Sequence, residues 1–306
     1  MSAAPSTGLL ARAAPAIFVL LWSTGFIGAK LGLPHAEPFT FLALRLLITL
    51  AILLPVALVT VRKWPGGPAL FHSVVTGILV HGVYLGGVFF AIDRGMPAGV
   101  SALVVALQPL ATAFVARWML GERLSAVQFA GFLAGLGGVG LVIAPRLFGG
   151  AQIEGITPAT LGAVMASVVA ISVGTVYQKR FAAGLDVRVS TSAQYAGALV
   201  PLGLLSFFTE TWRIEWTGEF VFALTWLVLV LSIGAVALLM LLIRAQSAAG
   251  TASLFYLVPG ATAVVAWFLF GESLQPIQLV GMAIVMGAVA LATRASGTRG
   301  RTVPRA

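Results

Sequence analysis

The sequence predicts an all-α integral membrane protein of ten transmembrane helices in two inverted five-helix repeats. Three observations carry this. The chain is 59% hydrophobic and 9% charged, with a mean hydropathy of +1.04. A soluble domain carries roughly 25% charged residues, so lipid must solvate much of this surface. Apolar runs of about 20 residues, the length that crosses a bilayer as a helix, recur throughout. Finally, the stretch Met96–Leu124 returns in Ser247–Leu274, at a constant offset of 150 residues and without a gap.

Taken in order, the first run is Ala13–Leu33. It follows Arg12 as a secretory leader would, but it is too long for a signal-peptide core and many runs follow, so it reads as the first membrane helix. The others are Pro38–Val61, Ala69–Ile92, Pro97–Leu120, Ser125–Ala144, Pro158–Gln178, Arg188–Thr209, Glu219–Ile243, Ser247–Phe270 and Pro276–Thr293. Several open on proline, which suits a first helical turn. The longest polar connection, Pro145–Thr157 with Gly149-Gly150, separates a first repeat over 13–144 from a second over 158–293. No soluble domain fits between them.

The net charge of +9 does not point to nucleic acid, because the basic residues sit singly or in pairs between apolar runs. Topology accounts for them. With the N-terminus in the cytoplasm, 13 fall inside (among them Arg62, Lys63, Arg117, Lys179 and Arg188) and 4 outside (Lys30, Arg94, Arg146 and Arg213). Both termini are then cytoplasmic, in an inner membrane. There are no cysteines, which excludes disulfides and thiolate metal sites. No histidine or carboxylate pair accompanies His81, so neither a metal nor a cofactor is expected.

From Ala98 to Leu141, about 17 of 44 positions are identical to Ala248–Leu291, including Pro109 with Pro259, Gly121-Glu122 with Gly271-Glu272, and Gln128 with Gln278. Lys30 corresponds to Lys179 at an offset one shorter. Five helices are an odd number, so the second half must insert upside down. Inverted repeats place a substrate site near the midplane and permit alternating access.

Leu21-Trp22-Ser23, Arg45, the prolines Pro109 and Pro259, and the Gly-Glu-x-Leu ends at Gly121–Leu124 and Gly271–Leu274 together resemble the drug/metabolite transporter superfamily, in particular its EamA-type members. The resemblance covers about residues 13–293. It implies a basket-like bundle around a central cavity and transport of small metabolites, often amino-acid export, with the aromatic amino-acid exporters as one branch. A small-multidrug pump of the same superfamily uses a membrane-buried glutamate in its first helix. The first helix here has none, which argues against cationic-drug antiport.

Polar groups inside spans are costly and often functional. Trp22, Arg45, His81, Tyr84, Gln108 and Tyr256 are the candidate substrate-binding residues, set against ordinary roles in core packing, snorkelling or helix–helix bonding. Arg45 could grip a carboxylate with its forked donors. His81 and Tyr84 share a helix face; their counterparts Leu231 and Gly234 do not copy that polarity. Pro109 and Pro259 are expected to kink or hinge their helices and to free the carbonyls of Val105 and Phe255. Gly121-Glu122 and Gly271-Glu272 read as helix junctions, each glutamate at the start of the next helix. Gly131-x-x-x-Gly135 and Gly137-Gly138-x-Gly140 are expected to pack within the chain. A monomer is therefore expected, with a dimer as the alternative; no Lys-Ser or Lys-Thr follows to make a phosphate loop. The expected function is export of a small metabolite, foremost an amino acid. Transport of a sugar derivative, nucleoside or hydrophobic drug is the rival, and a polytopic membrane enzyme a remoter one.

Overall fold

Ten helical rods run through the residues that the computed structural model describes, 9–148, 155–245 and 253–299. They are α1 (Leu9–Gly32), α2 (Pro38–Thr60), α3 (Gly67–Asp93), α4 (Ala98–Leu120), α5 (Ala126–Phe148), α6 (Pro158–Phe181), α7 (Val187–Thr209), α8 (Gly218–Thr225 continuing through Trp226–Ala235 and Val236–Ala245), α9 (Leu254–Phe270) and α10 (Pro276–Arg299). Gly149-Gly150 and the start of the second copy of the repeated stretch lie outside the described residues.

Eight of these rods are long and apolar enough by themselves to cross a membrane; the described part of α9 is shorter. α7 has 23 residues but carries Ser190, Ser192, Gln194 and Tyr195, all buried within the bundle. Its polarity is turned inward, where polar membrane residues belong.

The repeated sequence builds the same local structure twice. Gly121 and Gly271 end α4 and α9 with φ of 69° and 65°, the left-handed conformation that glycine adopts without a Cβ penalty. The next amides close the cap: Glu122 N–H donates to Ala116 O and Glu272 N–H to Ala266 O, both at 3.4 Å. Gln128 Oε1 then accepts from Ser125 N–H and Gln278 Oε1 from Gln275 N–H, both at 2.9 Å, at the starts of α5 and α10.

Several of the contacts between rods survive exchange of the halves. α1 packs on α8 and α9 as α6 packs on α3 and α4, while α2–α7, α4–α9 and α5–α10 are each their own counterpart. α5 and α10 meet through glycine. A Cβ on Gly138 would lie 2.7 Å from Gly281 O, and one on Gly281 would lie 2.5 Å from Gly138 O, whereas Gly137 and Gly140 face open space. Close backbone approach of this kind holds membrane helices together. Gly138→Val should therefore destabilise the detergent-solubilised protein by about 1–3 kcal/mol or more, with Gly140→Val near neutral. Thermal melting of both variants checks this; equal loss in the two would remove the packing account.

Candidate functional site

The polar side chains buried in these apolar rods converge. Arg45, 6% exposed, crosses from α2 to α8, where its Nε and Nη2 donate to Ser232 Oγ at 3.2 and 3.1 Å. Ser232 Oγ donates in turn to Leu227 O, five residues back, at 2.9 Å. This bond lies in a π-helical stretch, Trp226–Ala235, whose wide turn re-aims side chains. α3 has a π-helical stretch at the corresponding place, Ile78–Val83, bearing His81. Such segments are frequent at functional sites. α7 closes on α3 because glycine lets it: Gly77 lies against the Gln194 backbone and Gly197 against Val74. That approach sets Tyr195 edge-on to His81, with centroids 4.7 Å apart and planes at 72°.

Between these helices is a cavity of about 140 Å³. Its lining includes Trp22, Phe26, Arg45, His81, Tyr84, Phe89, Tyr195, Leu231 and Ser232. Its volume is close to the ~150 Å³ of a protein cavity that takes up a benzene-sized molecule, so it has room for a small organic molecule. A smaller cavity of about 40 Å³ shares Trp22, Phe26, Tyr84 and Ile171 with it and reaches Gln108, Pro109, Phe255 and Pro259. An apolar wall with a few convergent polar groups is the usual form of a small-molecule site.

The structure thus brings Trp22, Arg45, His81 and Tyr84 to one cavity, and Gln108 with both prolines to its extension. Tyr256 lines neither. Residues Ser253–Leu257 form a 3₁₀ turn, and this winding turns Phe255 inward, edge-on to Trp22 at 5.3 Å. Ser232 and Tyr195 belong to the wall and were not among the candidates. The prolines divide their helices instead of bending them. α4 leaves regular α-helical bonding after Val105 and resumes at Gln108, and α9 passes from its 3₁₀ turn into α-helix at Val258. Pro109 and Pro259 stand second in the resumed segments, where a missing N–H costs nothing. In the first break Leu107 N–H bonds to Val104 O at 3.1 Å, and Ser172 Oγ donates to Gln108 O at 3.3 Å.

Each Gly-Glu glutamate pairs with a lysine of the other half. Glu272 is bonded to Lys30 and accepts from the Ala98 and Gly99 amides at the start of α4, at 3.0 and 3.4 Å. Glu122 is 2.7 Å from Lys179. The helix start that Glu272 caps is therefore that of α4, not of α10 as its place in sequence suggested. Among the described residues no group of three His, Cys, Asp or Glu could hold a metal ion.

Ten apolar rods around a small buried cavity define a multi-pass membrane transporter. The chain belongs to the EamA-like transporter family, whose pattern matches residues 11–144 and again residues 159–294. It is 25% identical over 284 residues to the uncharacterized transporter YvbV of Bacillus subtilis (strain 168), covering 90% of this chain and 89% of that one. It is 26% identical over 282 residues to the uncharacterized inner membrane transporter YedA of Escherichia coli (strain K12), covering 91% and 89%. It is also 25% identical over 281 residues to a probable amino-acid metabolite efflux pump of Salmonella typhimurium (strain LT2), covering 88% and 90%. A solved crystal structure superposes with a TM-score of 0.64 and 22% identity over 94% of this chain and 98% of that one, which shows the shared fold.

Proposed function

We propose that the protein exports amino acids and related carboxylate metabolites across an inner membrane, by alternating access around the Arg45 cavity. The observation that carries this is Arg45 itself: a forked cation, desolvated, on the wall of a cavity of small-molecule size. Trp22, Tyr84 and Tyr195 offer apolar faces to the body of such a substrate, and Gln108 and the two proline breaks lie where it would pass. A relative named as an amino-acid metabolite efflux pump is consistent with this cargo.

Two repeats of five helices, 13–144 and 158–293, are related by inversion in this reading, which puts the cavity at the pseudo-symmetric centre. The lysine and arginine bias sets both termini in the cytoplasm. Lys30–Glu272 then lies at the outer end of the pathway and Lys179–Glu122 at the inner end.

The test is counterflow in liposomes containing the purified protein, against a panel of amino acids, carboxylate metabolites, sugars and nucleosides. If the first two groups neither exchange nor compete, the cargo is wrong. His81→Ala should weaken binding of the best substrate by about 3- to 10-fold, the effect of roughly 1 kcal/mol. Unchanged binding and flux would assign His81 to packing against Tyr195.

A further inference from the structure

The charge of the cavity is one-sided. A guanidinium offers five N–H groups; two of Arg45's point at Ser232 Oγ, so five minus two leaves three. Ser232 is neutral and its own proton is committed to Leu227 O. Neither cavity has an aspartate or glutamate among the described residues that line it. His81, in either protonation state, adds no negative charge.

A buried cation is stable only when it is paired and its donors are satisfied. Here the described residues of the wall supply a hydroxyl and aromatic rings, and no anion. The missing charge has to arrive with the ligand. A zwitterion brings a carboxylate, but it also brings an ammonium two bonds away, into a wall that already holds one cation and offers only neutral acceptors. That second cation would be desolvated without a carboxylate to meet it.

Resting on the transporter reading above, we infer that the cavity selects net anions, monocarboxylates with an apolar body, over zwitterions of the same shape. The deaminated 2-oxo acid counterpart of a neutral amino acid is the fitting chemical class. The carboxylate takes the free donors of Arg45 and the side chain lies against Trp22 and Tyr84. The ammonium position is replaced by a carbonyl that needs no counter-charge.

The experiment is competition binding on the purified protein with matched pairs: leucine against 4-methyl-2-oxopentanoate, and phenylalanine against phenylpyruvate. The 2-oxo acid should bind at least 10-fold more tightly in each pair. Ser232→Asp places a carboxylate beside Arg45 and makes the cavity neutral; the preference should then fall at least 10-fold. Arg45→Gln should abolish it, and Ser232→Asp serves where that variant does not fold. An amino acid that binds as tightly as its 2-oxo partner, or a preference unchanged in Ser232→Asp, overturns the inference and leaves carboxylate transport standing. Binding of neither member of any pair, with sugars or nucleosides binding instead, overturns the carboxylate cargo of the proposed function as well.

Discussion

Arg45→Gln should weaken binding of a carboxylate substrate by about 100-fold or more while the protein stays folded. Glutamine keeps a polar end within reach of Ser232 Oγ but removes the charge. Loss of one member of a buried, hydrogen-bonded charge pair costs about 2–5 kcal/mol, which is roughly 30-fold to several thousand-fold in affinity. Arg45→Lys restores the charge without the planar fork and should recover part of the loss. Trp22 lies in the cavity wall, so its fluorescence offers a direct binding signal. Affinity within about 3-fold of the parent in a folded Arg45→Gln protein would remove Arg45 from the site.

The helices were legible because lipid imposes a simple rule: about 20 apolar residues per span, with basic residues kept to one side. The repeat was legible because Gly121 and Gly271 and the capping glutamines Gln128 and Gln278 do local work that depends only on neighbours in sequence. The cavity was legible in part. Arg45 and His81 announce themselves as polar residues in apolar runs. Ser232 does not, since serine is ordinary in a membrane helix. It meets Arg45 across 187 positions of sequence, from the π-helical stretch Trp226–Ala235, and no local pattern joins the two. Tyr256 lies in the 3₁₀ turn Ser253–Leu257, and it is its neighbour Phe255 that meets Trp22; which of the two faces the cavity depends on that local winding. The partners of the Gly-Glu glutamates are the least legible. Lys30 and Glu272 are 242 positions apart, and no local pattern joins them.

Glu272→Gln should open the face of the protein that Lys30 closes. Glu272 holds three donors at once: Lys30 from α1 and the first two amides of α4. Its side chain is 11% exposed, against 50% for Glu122 in the corresponding pair. In the alternating-access reading proposed above, the two pairs exchange between the repeats and each is placed to fasten one end of the pathway. The Glu272 pair is the more buried of the two, and every residue of Ala98–Val105 behind it is buried. Lys30 is 30% exposed, which discounts the pair from the 3–5 kcal/mol of a fully buried one to about 1–2 kcal/mol, or roughly 5- to 30-fold in the open population. Lys179→Gln breaks a solvent-exposed pair worth about 0–1 kcal/mol and should shift the balance by less than about 5-fold. The chain has no cysteine, so a single Ser101→Cys, at a site with 0% exposure on α4, reports opening through its rate of reaction with a membrane-impermeant maleimide. That rate should rise in Glu272→Gln and barely change in Lys179→Gln. Exchanging the charges, Lys30→Glu with Glu272→Lys, should rescue only partly, because a lysine at 272 can pair with a glutamate at 30 but cannot accept the α4 amides. Full rescue would reduce the role of Glu272 to its ion pair, and labelling unchanged in Glu272→Gln would mean that the pair fastens nothing.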